Sequence, residues 1–140
     1  MGSRRNPASA KPMKARVKVW LEMDGEYVFG FGLSEILKAV DAAGSMKAAA
    51  DRLGKSYRYL WGRIKEAETA MGAPLVETRV GGRGPGRSSL TELASRLVTD
   101  YDALRRRAFE VVEQEFSSRF EAPSDASRLP VVVKHCEPDG

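Results

Sequence analysis

The chain has 140 residues, 42% of them hydrophobic, and a formal net charge of +4. That length fits one domain with tails, and the basic balance suits a polyanionic partner without naming one. A single cysteine, Cys136, excludes an internal disulfide, and no apolar run reaches the ~18 residues of a bilayer span, so a reducing cytoplasm is the expected setting and a membrane is not an expected partner.

Residues 1–14 are rich in Arg, Lys, Pro, Ser and Ala without periodicity. They read either as a disordered basic arm or as a solvated tail. From Ala15 the pattern alternates, with Val17, Val19 and Leu21 on one face and Arg16, Lys18 and Trp20 on the other. Asp24-Gly25 signals a hairpin turn, and Tyr27-Val28-Phe29 provides the return strand. A lone hairpin is marginal and needs helices or a second subunit to lean on.

After Gly32, Ser34 is the expected cap of a helix running to about Ala43, with Leu33, Ile36, Leu37 and Val40 on one face. Gly44 ends it. Ser45 caps a second helix, Met46 to Leu53, whose Ala48, Ala49 and Ala50 admit a crossing helix closely. Gly54 supplies a turn. Ser56 caps a third helix to about Met71, with Leu60, Ile64 and Ala67 inward, and Gly72 and Pro74 stop it. Residues 75–79 form a short strand, Ser88-Ser89-Leu90 its partner, and the Gly-rich basic segment between them a loop. Thr91 caps a long helix, periodic to about Phe120 and longer than a small domain needs, so part of it is expected on another chain. The domain is thus expected over 15–120, with a flexible tail over 121–140.

Helix, tight turn, helix and basic two-stranded wing form the pattern that grips duplex DNA, the second helix of the pair entering the major groove with its N-terminal residues at base edges. Those residues are Lys55, Ser56, Tyr57, Arg58 and Trp61. Arg58 is the expected base reader, because a guanidinium matches the paired acceptors of guanine. Ser56 can give a hydroxyl or amide to phosphate, and Arg63 and Lys65 further along suit phosphates. The competing structural reading makes Tyr59 or Trp61 part of the core, Trp61 being partly buried, and leaves Arg63 and Lys65 beside Glu66 and Glu68 as a solvated ion-paired face. Ser45 and Lys47 are expected DNA contacts from the first helix of the pair, and Arg79, Arg83 and Arg87 from the wing, where glycine permits close approach and arginine suits a narrow groove. A nucleotide-cradling loop would want a lysine followed by Ser or Thr at its end, which this loop lacks. His135 and Cys136 alone cannot make a metal site, nothing pairs a nucleophile with a base, and neither a metal, a catalytic residue nor an enzyme is expected.

At these residues the chain resembles the N-terminal domain of the ModE family of molybdate-responsive transcriptional regulators, a winged helix related to that of LysR-type regulators. The resemblance is carried in order by Gly44-Ser45 and the alanine run, Leu53-Gly54-Lys55-Ser56-Tyr57, Trp61, Pro74-Leu75-Val76-Glu77, Gly81-Gly82-Arg83-Gly84, Leu90-Thr91, Arg96-Leu97, Tyr101 and Ala108-Phe109-Glu110-Val111. It covers roughly residues 33–112. It implies a mainly α winged helix-turn-helix (α+β) with an N-terminal β-hairpin, a β wing and a long C-terminal dimerisation helix. It also implies transcriptional regulation as a homodimer on double-stranded DNA, with Leu97, Tyr101, Leu104, Ala108 and Val111 at the dimer contact. Members of the family carry a C-terminal pair of molybdate-binding β-barrels. The residues after Phe120 do not suit such a barrel, so no cofactor is expected, molybdate or tungstate sensing by these residues alone is not expected, and a separate sensor protein is a possible partner. An alternative is an interaction module that holds such a sensor on its hairpin, through Trp20, Tyr27, Phe29 and Phe31, or a regulator that responds to the oxyanion itself.

Overall fold

The computed structural model describes residues 11–79 and 86–121. Residues 1–10 of the arm expected over 1–14, the wing tip with Arg83, and residues 122–140 of the expected tail, with His135 and Cys136, lie outside the described residues. Elements run β1 (Trp20–Met23), β2 (Glu26–Gly30), α1 (Phe31–Ala43), α2 (Met46–Leu53), α3 (Tyr57–Met71), β3 (Val76–Arg79), β4 (Arg87–Leu90) and α4 (Glu92–Phe120). β1 pairs with β2 and β3 with β4, both antiparallel, as two separate hairpins.

The side chains that can accept a backbone hydrogen bond set most boundaries. Ser45, Ser56 and Thr91 stand at the N-caps of α2, α3 and α4, and their oxygens accept from the amides of Ala48, Tyr59 and Ala94 at 3.1, 3.0 and 3.2 Å. Each satisfies one of the amides a helix start leaves open. The turn between α2 and α3 closes on Gly54, whose φ of 67° is the left-handed conformation that favours glycine. The amide of the following Lys55 returns to the Ala50 carbonyl at 3.0 Å.

α1 is the hub, with β2, α2, α3, β4 and α4 all packed about it. Leu33, Ile36, Leu37 and Val40 form its inner face and join Val28, Phe29, Met46, Ala49, Leu60, Ile64, Leu75 and Ala94 in one core. The second hairpin is tied to this hub through its backbone, as the Ser88 amide donates to the Gly44 carbonyl at 2.9 Å.

Three expectations need correction. The strand expected from Ala15 starts only at Trp20, because β2 ends at Gly30, the partner of Trp20, and offers nothing for residues 15–19 to pair with. α1 begins at Phe31 with Gly30 as N-cap, so Ser34 is no cap; it sits inside the helix, fully buried, with no hydrogen bond to its hydroxyl among the described residues. A Cβ at Gly30 would run into the phenol of Tyr27, so the close packing of the hairpin on the helix start requires glycine there.

The third correction concerns Tyr101, expected at a dimer contact. It is 1% exposed and belongs to the core of its own chain. Its ring meets Phe29 edge-on, centroids 5.3 Å apart, and its hydroxyl donates to the Val19 carbonyl at 2.7 Å. Burial pushes its phenol pKa above the ordinary value. This one side chain fastens α4 to the hairpin and to the segment before it. Tyr101→Phe removes the hydrogen bond and should cost ~1 kcal/mol, whereas Tyr101→Ala also opens a cavity and should cost ~3–5 kcal/mol in urea unfolding. Equal small losses for both would place the side chain at the surface.

Candidate nucleic-acid interface

α3 buries one face only. Leu60 and Ile64 are fully buried and Ala67 nearly so. At 3.6 residues per turn, the opposite side of the helix carries Arg58 and Gly62. Arg58 is exposed and has no hydrogen-bond or ion-pair partner among the described residues.

Two aromatic ridges flank this outward face. On one side Tyr57 meets Trp61 edge-on at 6.4 Å, and the Lys65 ammonium lies 5.2 Å from the Trp61 ring centre. On the other side Lys55 and Arg63 lie 5.3 and 5.9 Å from the Tyr59 ring centre, and Arg63 donates to the Tyr59 hydroxyl at 3.0 Å. Cation–aromatic contacts orient the long basic side chains while leaving their charge outward. Trp61 is half-buried against the core, as expected, while Tyr57 and Tyr59 are exposed. Ser56 uses its oxygen as the helix cap and keeps its hydroxyl proton to donate.

Gly62 stands in the second turn of α3, where nothing within 4 Å would meet an added Cβ. A glycine inside a helix costs ~0.5–1 kcal/mol relative to alanine.

The hairpin β3–β4 carries two of the expected wing residues. Arg79 and Arg87 are exposed and directly paired across the strands, so two like charges face each other at the wing stem. Such a pair is unfavourable on its own and is relieved by an anion. On α2, Ser45 is spent as the N-cap and Lys47 is exposed.

Sequence reasoning missed Glu68. Read as part of a solvated face, it is instead the joint between α3 and the wing. One carboxylate oxygen accepts from the backbone amides of Leu75 at 2.7 Å and Val76 at 3.3 Å. The other meets Lys65 at 3.3 Å, and the Glu68 side chain is only 13% exposed. The signal was its place, since an acid near a helix C-terminus works against the macrodipole and asks for a local reason. Beyond it, Thr91 closes the wing: its hydroxyl donates to the Pro74 carbonyl at 3.0 Å and its amide to the Leu75 carbonyl at 3.0 Å.

Along α4, Leu97 is half-buried against the core, whereas Leu104 and Val111 are exposed at 48% and 41% and Ala108 is half-exposed. With Leu93, also exposed, they form an apolar stripe beside the face that Tyr101 buries. On the other side of α4 the Arg105 guanidinium is held between Phe31 and Phe109, 4.1 and 4.4 Å from their ring centres. The hairpin offers less to a partner than expected, because Phe29 is fully buried.

Residues 32–95 match the model of the bacterial regulatory helix-turn-helix proteins of the lysR family. That match spans 64 of the 140 residues, a little under half of the chain. A solved CbnR_DBD–DNA complex has the same fold, with a TM-score of 0.50 and 24% identity over 64% of this chain and 98% of that one. Among characterised proteins, this chain is similar to the transcriptional regulator ModE of Haemophilus influenzae, 32% identical over 57% of this chain and 32% of that protein. It is also similar to the molybdenum transport protein ModE of Herbaspirillum seropedicae, 31% identical over 67% of this chain and 35% of that protein. With the DNA-binding transcriptional dual regulator ModE of Escherichia coli it shares 29% identity over 74% of this chain and 40% of that protein. The chain therefore spans about a third of the length of the curated relatives it matches. Among the described residues, no helix is long and apolar enough to cross a membrane.

If Glu68 is the joint, Glu68→Ala leaves two wing amides without their acceptor and should cost ~1–3 kcal/mol. Hydrogen exchange at Leu75 and Val76 should accelerate more than at Leu60. Unchanged protection at both amides would contradict the joint.

Proposed function

We propose that this chain is a sequence-specific, DNA-binding transcriptional regulator that acts as a homodimer in the cytoplasm. The observation that carries the reading is the outward face of α3: Arg58 unpartnered at its centre, with Lys55, Arg63 and Lys65 set along two aromatic flanks. Here Arg58 reads a base, while the flanking cations, Ser56 and Lys47 neutralise phosphates. Arg79, Arg83 and Arg87 take the adjacent groove or backbone, which turns the repulsion at the wing stem into attraction. Tyr57, exposed at the start of α3, suits a thymine methyl or a phosphate.

A homodimer fits the apolar stripe of Leu97, Leu104, Ala108 and Val111, whose burial between two chains would remove their side chains from water. It would present two copies of α3 to half-sites about one helical turn, ~34 Å, apart. No cofactor is proposed for the residues of this fold, and a separate sensor protein is one possible partner.

Arg58→Ala should lose ~1–3 kcal/mol on the preferred duplex and relax the preference at one base pair, measured by competition titration against a scrambled duplex. An equal loss on both duplexes would reduce Arg58 to a phosphate contact.

A further inference from the structure

Gly62 has no structural reason of its own to be glycine. It lies inside a regular helix, away from positive φ, and no atom of the chain would touch an added Cβ. An alanine would fit and would stabilise α3. The chain forgoes that stability at one point only of the outward face, four residues beyond Arg58 and so ~6 Å further along the same side. On either side stand the taller ridges, Trp61 with Lys65 and Tyr59 with Arg63. The result is a low floor at Gly62, next to Arg58 and between two walls, and both walls carry positive charge.

A helix lying in the major groove turns its outermost line of residues to the base edges and its two flanks to the phosphate strands. The ridges therefore match the phosphates in position and charge, and the floor matches the bases. We propose that Gly62 is the close-approach point of the interface, where the α3 backbone rests against base edges one step beyond those read by Arg58. The missing side chain would set how deep the helix sits, and thus whether Arg58 reaches its base while Arg63 and Lys65 reach both strands. This inference rests on the regulator reading and adds a specificity-determining position to it.

The test compares wild type, Gly62→Ala and Gly62→Gln in thermal melting and in titration against a duplex selected by the wild-type chain and a scrambled duplex. Gly62→Ala should melt ~2–6 °C higher, since a helical alanine replaces glycine. It should nevertheless bind the selected duplex roughly ten-fold more weakly, with a smaller loss on scrambled DNA, and Gly62→Gln should lose more. Undiminished binding by Gly62→Ala would overturn the proposal, as would an equal loss on both duplexes. A lower melting temperature would do the same by exposing an internal role for the glycine. If the wild type binds no duplex, the regulator reading itself fails and the inference goes with it, and the wild-type titration alone separates that failure from the others.

Discussion

One carboxylate holds α3 and the β3–β4 hairpin in register. Glu68 reaches from the last turns of α3 to the first two amides of the wing, 2.7 and 3.3 Å away, in a site mostly shielded from water. Hydrogen bonds to an ionised acceptor are among the stronger ones available to a protein, and an amide left without its acceptor there is costly. The angle between α3 and the β3–β4 hairpin depends on this joint and on the Thr91 bonds that close the far side of the hairpin. A helix in one groove and a wing beside it can act on the same duplex only if that angle is fixed.

The same economy runs through the rest of the chain. α1 is enclosed by β2, α2, α3, β4 and α4, so the inner faces of α2 and α3 are committed to it and their opposite faces turn outward. Charge follows this division, with Lys47, Arg58 and Lys65 on the exposed sides of α2 and α3 and Lys55 in the turn between them, and Glu110, Glu113, Glu115 and the C-cap Glu121 towards the end of α4. α4 divides its labour along its circumference. Ala94 and Tyr101 face the core, while the neighbouring line of Leu93, Leu104 and Val111 remains in solvent. That stripe is where a second copy of α4 would gain most by packing.

Local signals in the sequence were legible where local physics decides them. The caps at Ser45, Ser56 and Thr91, the stops at Gly44, Gly54 and Gly72, and the Asp24-Gly25 turn all follow from short-range hydrogen bonding and backbone sterics. The exposed face of α3 was legible for the same reason, since helical period alone separates Arg58 from Leu60 and Ile64. What failed was long-range. Tyr101 shares its periodicity with true surface positions, and its long-range contacts, the bond to Val19 82 residues away and the ring of Phe29, reveal that it is core. Glu68 looks like any helix acid until the chain folds back from Pro74. Ser34 resembles a cap because it precedes an apolar run, yet the approach of Tyr27 to Gly30 places the helix start four residues earlier.

The central claim is that two copies of this chain read one duplex through α3. Selection from a randomised duplex library, followed by the mass of the complex formed on the recovered sequence, tests it most directly. The expected result is an inverted repeat with half-sites about one helical turn apart, bound by two chains and strongly preferred over scrambled DNA at physiological salt. Recovery of no common sequence, with affinity that disappears as salt rises, would leave only electrostatic attraction and contradict it.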